Sequence, residues 1–159
     1  MVELKKITIL DDNMKECIAL NIAPEKKDHM WSNAIALAVA YKGLVPNLKC
    51  RAIYAEGKMV GLITYQYLVD PPCYKETCYR IRPIMVDKGH LGKGYEEAAL
   101  RKLLEEIRTK PYGDATAIFV TYAPEEEDMA KLYEAAGFMK TDIKLQAPQD
   151  NLIVARMSL

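Results

Sequence analysis

The ten residues LGKGYEEAAL at 91–100 constrain the fold more than any other stretch. They follow the apolar run IMVD, set two glycines one residue apart, and pass at once into helix formers. In such a strand, turn and helix, Gly92 and Gly94 let backbone N–H groups approach a ligand closely. Those amides and the positive end of the helix dipole favour an anion. The helix expected from Lys93 to Arg108 carries Leu100, Leu103, Leu104 and Ile107 on one face, and KPYGD then turns into the strand ATAIFVTYA. Two nucleotide motifs are excluded at this turn. A dinucleotide fingerprint needs glycine where Glu97 stands, and a Walker loop needs Ser or Thr where Gly94 stands.

The chain before the turn supplies more strands and two helices. Val2 to Leu10 is expected as a strand, and Asp11, Asp12 and Asn13 as a helix start before Met14, Cys17, Ile18 and Ile22. Met30, Ala34, Leu37, Ala38 and Tyr41 recur at helical spacing up to Gly43 and Pro46. CRAIYAEGKMVGLITYQYLV gives a hairpin around the turn at 56–58, and TCYRIRPIMVD a further strand. Pro83 in that strand cannot donate a ladder hydrogen bond, so it belongs at an edge, a bulge or a splay. After the glycine turn, PEEEDMAKLYEAAGF has acids in its first turn and Gly137 at its end, and strands near 138–145 and 151–158 follow. The order β-α-α-β-β-β-α-β-α-β-β predicts a single α+β domain over 1–159, with a mixed central sheet of about seven strands and about four helices.

Composition narrows the partner. The 22 basic and 22 acidic residues balance, so no overall basic field points to nucleic acid, and a small molecule is the expected partner. Four cysteines without a C-x-x-C pair, and two histidines, give poor support for a metal site, and the thiols are expected reduced, as in the cytoplasm. No stretch approaches the ~20 apolar residues of a membrane helix, and the first ten residues lack the apolar block of a signal peptide. Homodimers are common for folds with exposed sheet edges, and a homodimer is open to this chain.

Gly92-Lys93-Gly94-Tyr95 after IMVD, with Ala130-Lys131-Leu132-Tyr133 before Gly137-Phe138 one strand and one helix later, resembles the GNAT acetyltransferases. SNAIALAVAY and AIYAEGKMVGLITY are further similar to the bacterial spermine/spermidine N-acetyltransferases. The resemblance implies the GNAT acyl-CoA N-acyltransferase fold, acetyl-CoA as co-substrate, and a small amine acceptor, with spermidine or spermine as the implied case. It implies a V-shaped opening between the strand ending at Val86 and the strand ending near Ala123. Pantetheine would pair there with the backbone of Ile84 and Val86, and the amides of Leu91, Gly92, Lys93, Gly94, Tyr95 and Glu96 would hold the pyrophosphate. Tyr133 matches the tyrosine that gives a proton to the leaving thiolate, and a phenol with a pKa near 10 suits that role.

The chain departs from the family pattern at several places. Leu91 stands where Gln or Arg is usual, Glu96 where Gly or Ala is usual, and Glu127 replaces an asparagine that resembles a cofactor contact. Glu96 shares a stripe with Leu100, Leu103 and Ile107; a like charge at ~4 Å from phosphate is unfavourable by about 1 kcal/mol in water and by more at lower dielectric. The same carboxylate also suits a first helical turn and can swing into solvent. The places of the family's usual general base hold Arg80 and Arg82, which cannot accept a proton at neutral pH. Glu76, or a water chain to His90, is left as the candidate base. The two arginines are expected on a solvated outer face; turned into the cleft, they imply an anionic acceptor. A catalytically silent member of the fold, binding a CoA thioester, another small ligand or a partner without turnover, is the other reading.

Overall fold

The computed structural model describes residues 1–7, 13–24 and 32–159. The expected end of the first strand at 8–10, the caps Asp11 and Asp12, and His29 and Met30 lie outside the described residues.

β1 (Val2–Lys6), β2 (Leu48–Ala55), β3 (Lys58–Leu68) and β4 (Cys78–Ile81) form an antiparallel run. β4 then pairs in parallel with β6 (Ala117–Tyr122), which continues antiparallel to β8 (Ile153–Ser158) and on to β7 (Met139–Lys140). Among the described residues β5 (Met85–Val86) pairs only with β3, which brings the mixed sheet to eight strands. The α+β architecture matches the expectation from element order. The eighth strand arises because the segment expected as one strand from Thr77 to Asp87 is two. The strand expected near 138–145 is only Met139–Lys140, and after Thr141 the chain runs irregularly across the sheet to β8.

The helices α1 (Asn13–Ala19), α2 (Asn33–Lys42), α3 (Tyr95–Arg108) and α4 (Glu127–Ala136) divide between the two faces. α3 buries Ala99, Leu100, Leu103, Leu104 and Ile107, and α4 buries Met129 and Tyr133. These side chains join Ile53, Ile63, Tyr65, Ile81, Ile118 and Val120 in one large core. The opposite face carries two smaller clusters. One joins Cys17 and Ala36 of α1 and α2 to Ala52, Leu62 and Met85. The other joins Tyr74, Phe119 and Val154 to Leu145 of the irregular segment. Between these two clusters the sheet is left open.

Candidate acetyl-transfer site

The gap in the sheet is created by one extra residue. Tyr65 faces Ile81 across the β3–β4 ladder, so an unbroken ladder would set Leu62 against Ile84; Leu62 faces Met85 instead. This is a β-bulge, and it falls around Pro83, the residue that cannot supply a ladder N–H. Gly61 makes the new register possible, because a Cβ there would collide with the carbonyl oxygen of Met85. The parallel ladder with β6 stops at Ile81 and Val120, and β5 has no partner on that side among the described residues. The Asp87 N–H donates to Val60 O at 2.8 Å, back toward β3. Alternation along a strand then directs the backbone groups of Val86 and Ile84 away from β3, into the gap. Their side chains are buried in the large core, so it is the backbone of these two residues that faces the opening.

The loop after β5 is tied down at its start and open at its end. The Asp87 carboxylate accepts from Asn21 N at 2.7 Å and from Gly89 N at 2.9 Å, and the Lys88 N–H donates to Asn21 O at 2.9 Å. Burial pushes the Asp87 carboxyl up, but these two amides outweigh it and hold the group below its ordinary range. Gly92 and Gly94 have φ of 74° and 73°, a conformation that disfavours any side chain, and the space beside each is empty. Gly94 precedes α3 without a side-chain cap, and the N–H groups of residues 91–96 donate to no described backbone group. That is a set of uncommitted donors at the positive end of a helix. Leu91 and Tyr95 are half-buried and lean on the large core, which leaves their amides as what they present. Lys93 is exposed, with its Nζ 3.4 Å from His90 Nδ1. Glu96 is half-buried in the first turn of α3, four residues before the buried Leu100.

Tyr133 is 1% exposed, and its hydroxyl has no hydrogen-bond partner. Burial, then the nearby charges of Glu126 and Tyr122, push its pKa above the ordinary phenol value, so it holds its proton throughout the neutral range. Its ring stands 5.7 Å from that of Tyr122 on β6.

On the face away from α3 the gap opens into a cavity of about 420 Å³. Arg80 and Arg82 line it, opposite Thr121 and Tyr122 of β6, with Asn33 of α2, Glu126 before α4, and Gln149 and Asn151 of the irregular segment. The expectation that the two arginines face solvent is therefore corrected. They share one face of the strand, as their alternation with Ile81 required, and that face is the cleft. Glu76 is corrected as well. It lies before β4, is held by Arg156 Nε at 2.8 Å and Thr116 Oγ1 at 2.5 Å, and does not line the cavity. The Arg156 hydrogen bond, against some burial and helped by Thr116, keeps its carboxyl below the usual range, the wrong direction for a base. His90 does not line the cavity either. Glu127 is exposed in the first turn of α4, whereas its neighbour Glu126 faces the cleft and is its only carboxylate among the described residues. Asn33, Tyr122 and Glu126 were missed from the sequence; Tyr122 had a signal, since it ends a strand at the switch point of the sheet, where ligands gather.

Among the described residues no cluster of three His, Cys, Asp or Glu fits a metal ion, and no helix is long and apolar enough to cross a membrane. The sequence profile of the Acetyltransferase (GNAT) family matches residues 22–138, and the chain belongs to that family. No curated protein matches the chain in sequence. Among solved structures, the aminoglycoside acetyltransferase AAC(6')-Ib in complex with coenzyme A superposes with a TM-score of 0.74 at 15% identity, over 99% of this chain and 95% of that one. The ribosomal-protein-S18-alanine N-acetyltransferase of Escherichia coli gives 0.66 at 15% identity over 99% and 94%. The PaiA N-acetyltransferase of Thermoplasma acidophilum, solved in complex with coenzyme A, gives 0.65 at 9% identity over 100% and 99%. At these identities the likeness is one of fold.

Proposed function

We propose that this chain, read as one catalytic domain over 1–159, transfers an acetyl group from acetyl-CoA directly to a small amine. The observation that carries the reading is the one-sided pairing of β5 beside an uncapped helix start. That arrangement offers strand backbone to pantetheine and helix amides to pyrophosphate along one continuous path. Acetyl-CoA supplies an activated acyl carbon with a thiolate as leaving group. The protein's own groups do the rest. The backbone of Ile84 and Val86 aligns the thioester arm, and the amides of Leu91, Gly92, Lys93, Gly94, Tyr95 and Glu96 fix the phosphates. Glu127, exposed in the first turn of α4, is the remaining position proposed to meet the cofactor. Glu126 takes a proton from the acceptor's ammonium, the freed amine forms the N–C bond as the C–S bond breaks, Tyr133 donates its proton to the departing sulfur, and the second proton shed by the new amide nitrogen restores the Tyr133 phenol. Holding both reactants in one cleft supplies much of the rate.

A polyamine acceptor is supported by the likeness of the α2 and hairpin segments, and opposed by two guanidinium groups lining the cleft. Binding without turnover is favoured by one observation, the half-buried Glu96 beside the proposed phosphate site. Titration calorimetry of acetyl-CoA, followed by a thiol-release assay with an amine panel that includes spermidine, tests all three. Binding with release supports the transferase, binding without release supports the silent member, and no binding at millimolar cofactor removes both. Tyr133→Phe is expected to lower kcat by about 10²-fold or more while the KM for acetyl-CoA holds, as for loss of a general acid.

A further inference from the structure

We propose that the cleft is built for an amine acceptor that also carries a carboxylate, seated against the guanidinium groups of Arg80 and Arg82. Among the described residues the lining holds two guanidinium groups and a single carboxylate, Glu126, and one oxygen of that carboxylate already accepts from Ala123 N at 2.8 Å. Arg80 Nε is buried without a hydrogen-bond partner. Buried charges in folded proteins are paired, and a guanidinium fork matches the two oxygens of a carboxylate. Burial, then the positive charge of Arg80, pushes Arg82 down to about 10, the response of a cation placed in a dry site beside another. The cavity also offers a receiver for the acceptor's other end. Asn33 is 3% exposed; its Nδ2 donates to Cys17 O at 2.8 Å, while its Oδ1 is buried with no partner. An N–H of the substrate would satisfy it. A carboxylate thus supplies the acceptor that Arg80 Nε lacks, whereas a polyamine brings further positive charge beside it. The volume of about 420 Å³ lies in the range of small-molecule sites and suits an amino-acid-sized acceptor.

The chemistry that follows binding rests on the acetyl-transfer reading; the binding preference does not. The test is calorimetric titration of the CoA-saturated protein with β-alanine, L-glutamate and L-methionine, each beside its carboxamide, and with O-phosphoethanolamine and spermidine. At least one acid is expected to bind about 10-fold to 100-fold more tightly than its amide, the range of one to two charge-assisted hydrogen bonds. Arg80→Gln, and separately Arg82→Gln, is expected to erase that preference. The acid-to-amide comparison on the unaltered chain stands even if a variant fails to fold. Equal binding of acids and amides, no binding of any acid, tightest binding of spermidine, or tightest binding of the phosphate ester overturns the proposal. Thiol release measured on the same panel separates the two readings. An acid preference without release removes the transferase and keeps the anion site, while release from spermidine without an acid preference does the reverse.

Discussion

Arginine is buried at Arg51 and half-buried at Arg80 and Arg82, and the two regions treat it in opposite ways. Arg51, 7% exposed, gives Nε to both Glu106 oxygens at 3.1 Å, Nη2 to Glu106 Oε1 at 2.5 Å and to Tyr65 Oη at 3.1 Å, and Nη1 to Cys50 O at 3.2 Å. Burial works against its charge, but Glu106, Tyr112 and Tyr65 more than offset that, and its pKa rises. In the cleft, Arg80 keeps an unpartnered Nε and Arg82 is pushed down to about 10. The first site holds strand β2 against α3 and is complete within the chain. The second is assembled on the strand that breaks to open the cleft, where the partner of Arg80 Nε has to come from a ligand.

The largest expected effect separates these sites directly. Arg51→Met strands a partly buried Glu106 and is expected to lower unfolding free energy by about 3 kcal/mol, read from urea melts. Arg80→Met removes a charge that is poorly compensated and is expected to change stability by less than about 1 kcal/mol, in either direction. Equal losses at both would break the comparison.

Gly61→Ala comes next. Its methyl would press on the Met85 carbonyl, and a loss of about 1 to 3 kcal/mol is expected from overpacking. Because β5 must move while Arg51 does not, the variant should weaken anion binding in the cleft and leave the Arg51 cluster intact, which two-dimensional NMR can follow.

Acid separates the sites again. Burial raises the Glu106 carboxyl, but hydrogen bonds from Arg51 and Tyr65 outweigh it, so the folded pKa lies below the unfolded value. A depressed carboxylate stabilises the fold above its unfolded pKa, near 4.3, and loses that contribution as pH falls through the folded value. Arg51→Met should therefore flatten the acid limb of the stability curve. Arg82 has the opposite linkage. With a folded pKa below the unfolded one, it opposes folding at neutral pH and that opposition lifts only above about pH 10, so the acid limb should be unchanged in Arg82→Gln.

The smallest effect concerns Glu96. If the carboxylate faces the phosphates, Glu96→Gln should tighten CoA binding by about 1 kcal/mol, roughly fivefold, in low salt. No change would show that the side chain turns to solvent.

Much of the fold was legible because its signals are local. The stripe of Leu100, Leu103, Leu104 and Ile107 and the stop at Gly137 each sit within one element, and each is found where periodicity and capping put it. Pro83 marked a break without saying which of three forms it takes; the register of β3 against β4 and β5 decides for a bulge with a splay. The site was half legible. The glycine turn announces an anion, but alternation says only that Arg80 and Arg82 share a face, and which face is dry depends on where α2 and the irregular segment close over the sheet. Glu126 and Glu127 differ by one position at a helix start, where a single residue of offset reverses inside and outside. Asn33 is far from every motif in the chain, and nothing short of the fold brings it to the cleft.

The bulge at Pro83 has a bearing on how this binding cleft could arise or vanish. A one-residue deletion between Arg82 and Met85 would restore an even count, leave Met85 against Leu62 and Val86 against Gly61, let the strand run on beside β6, and zip the opening shut. Cleft and no cleft are thus a single codon apart, with nothing in between, and the site is inherited whole or not at all.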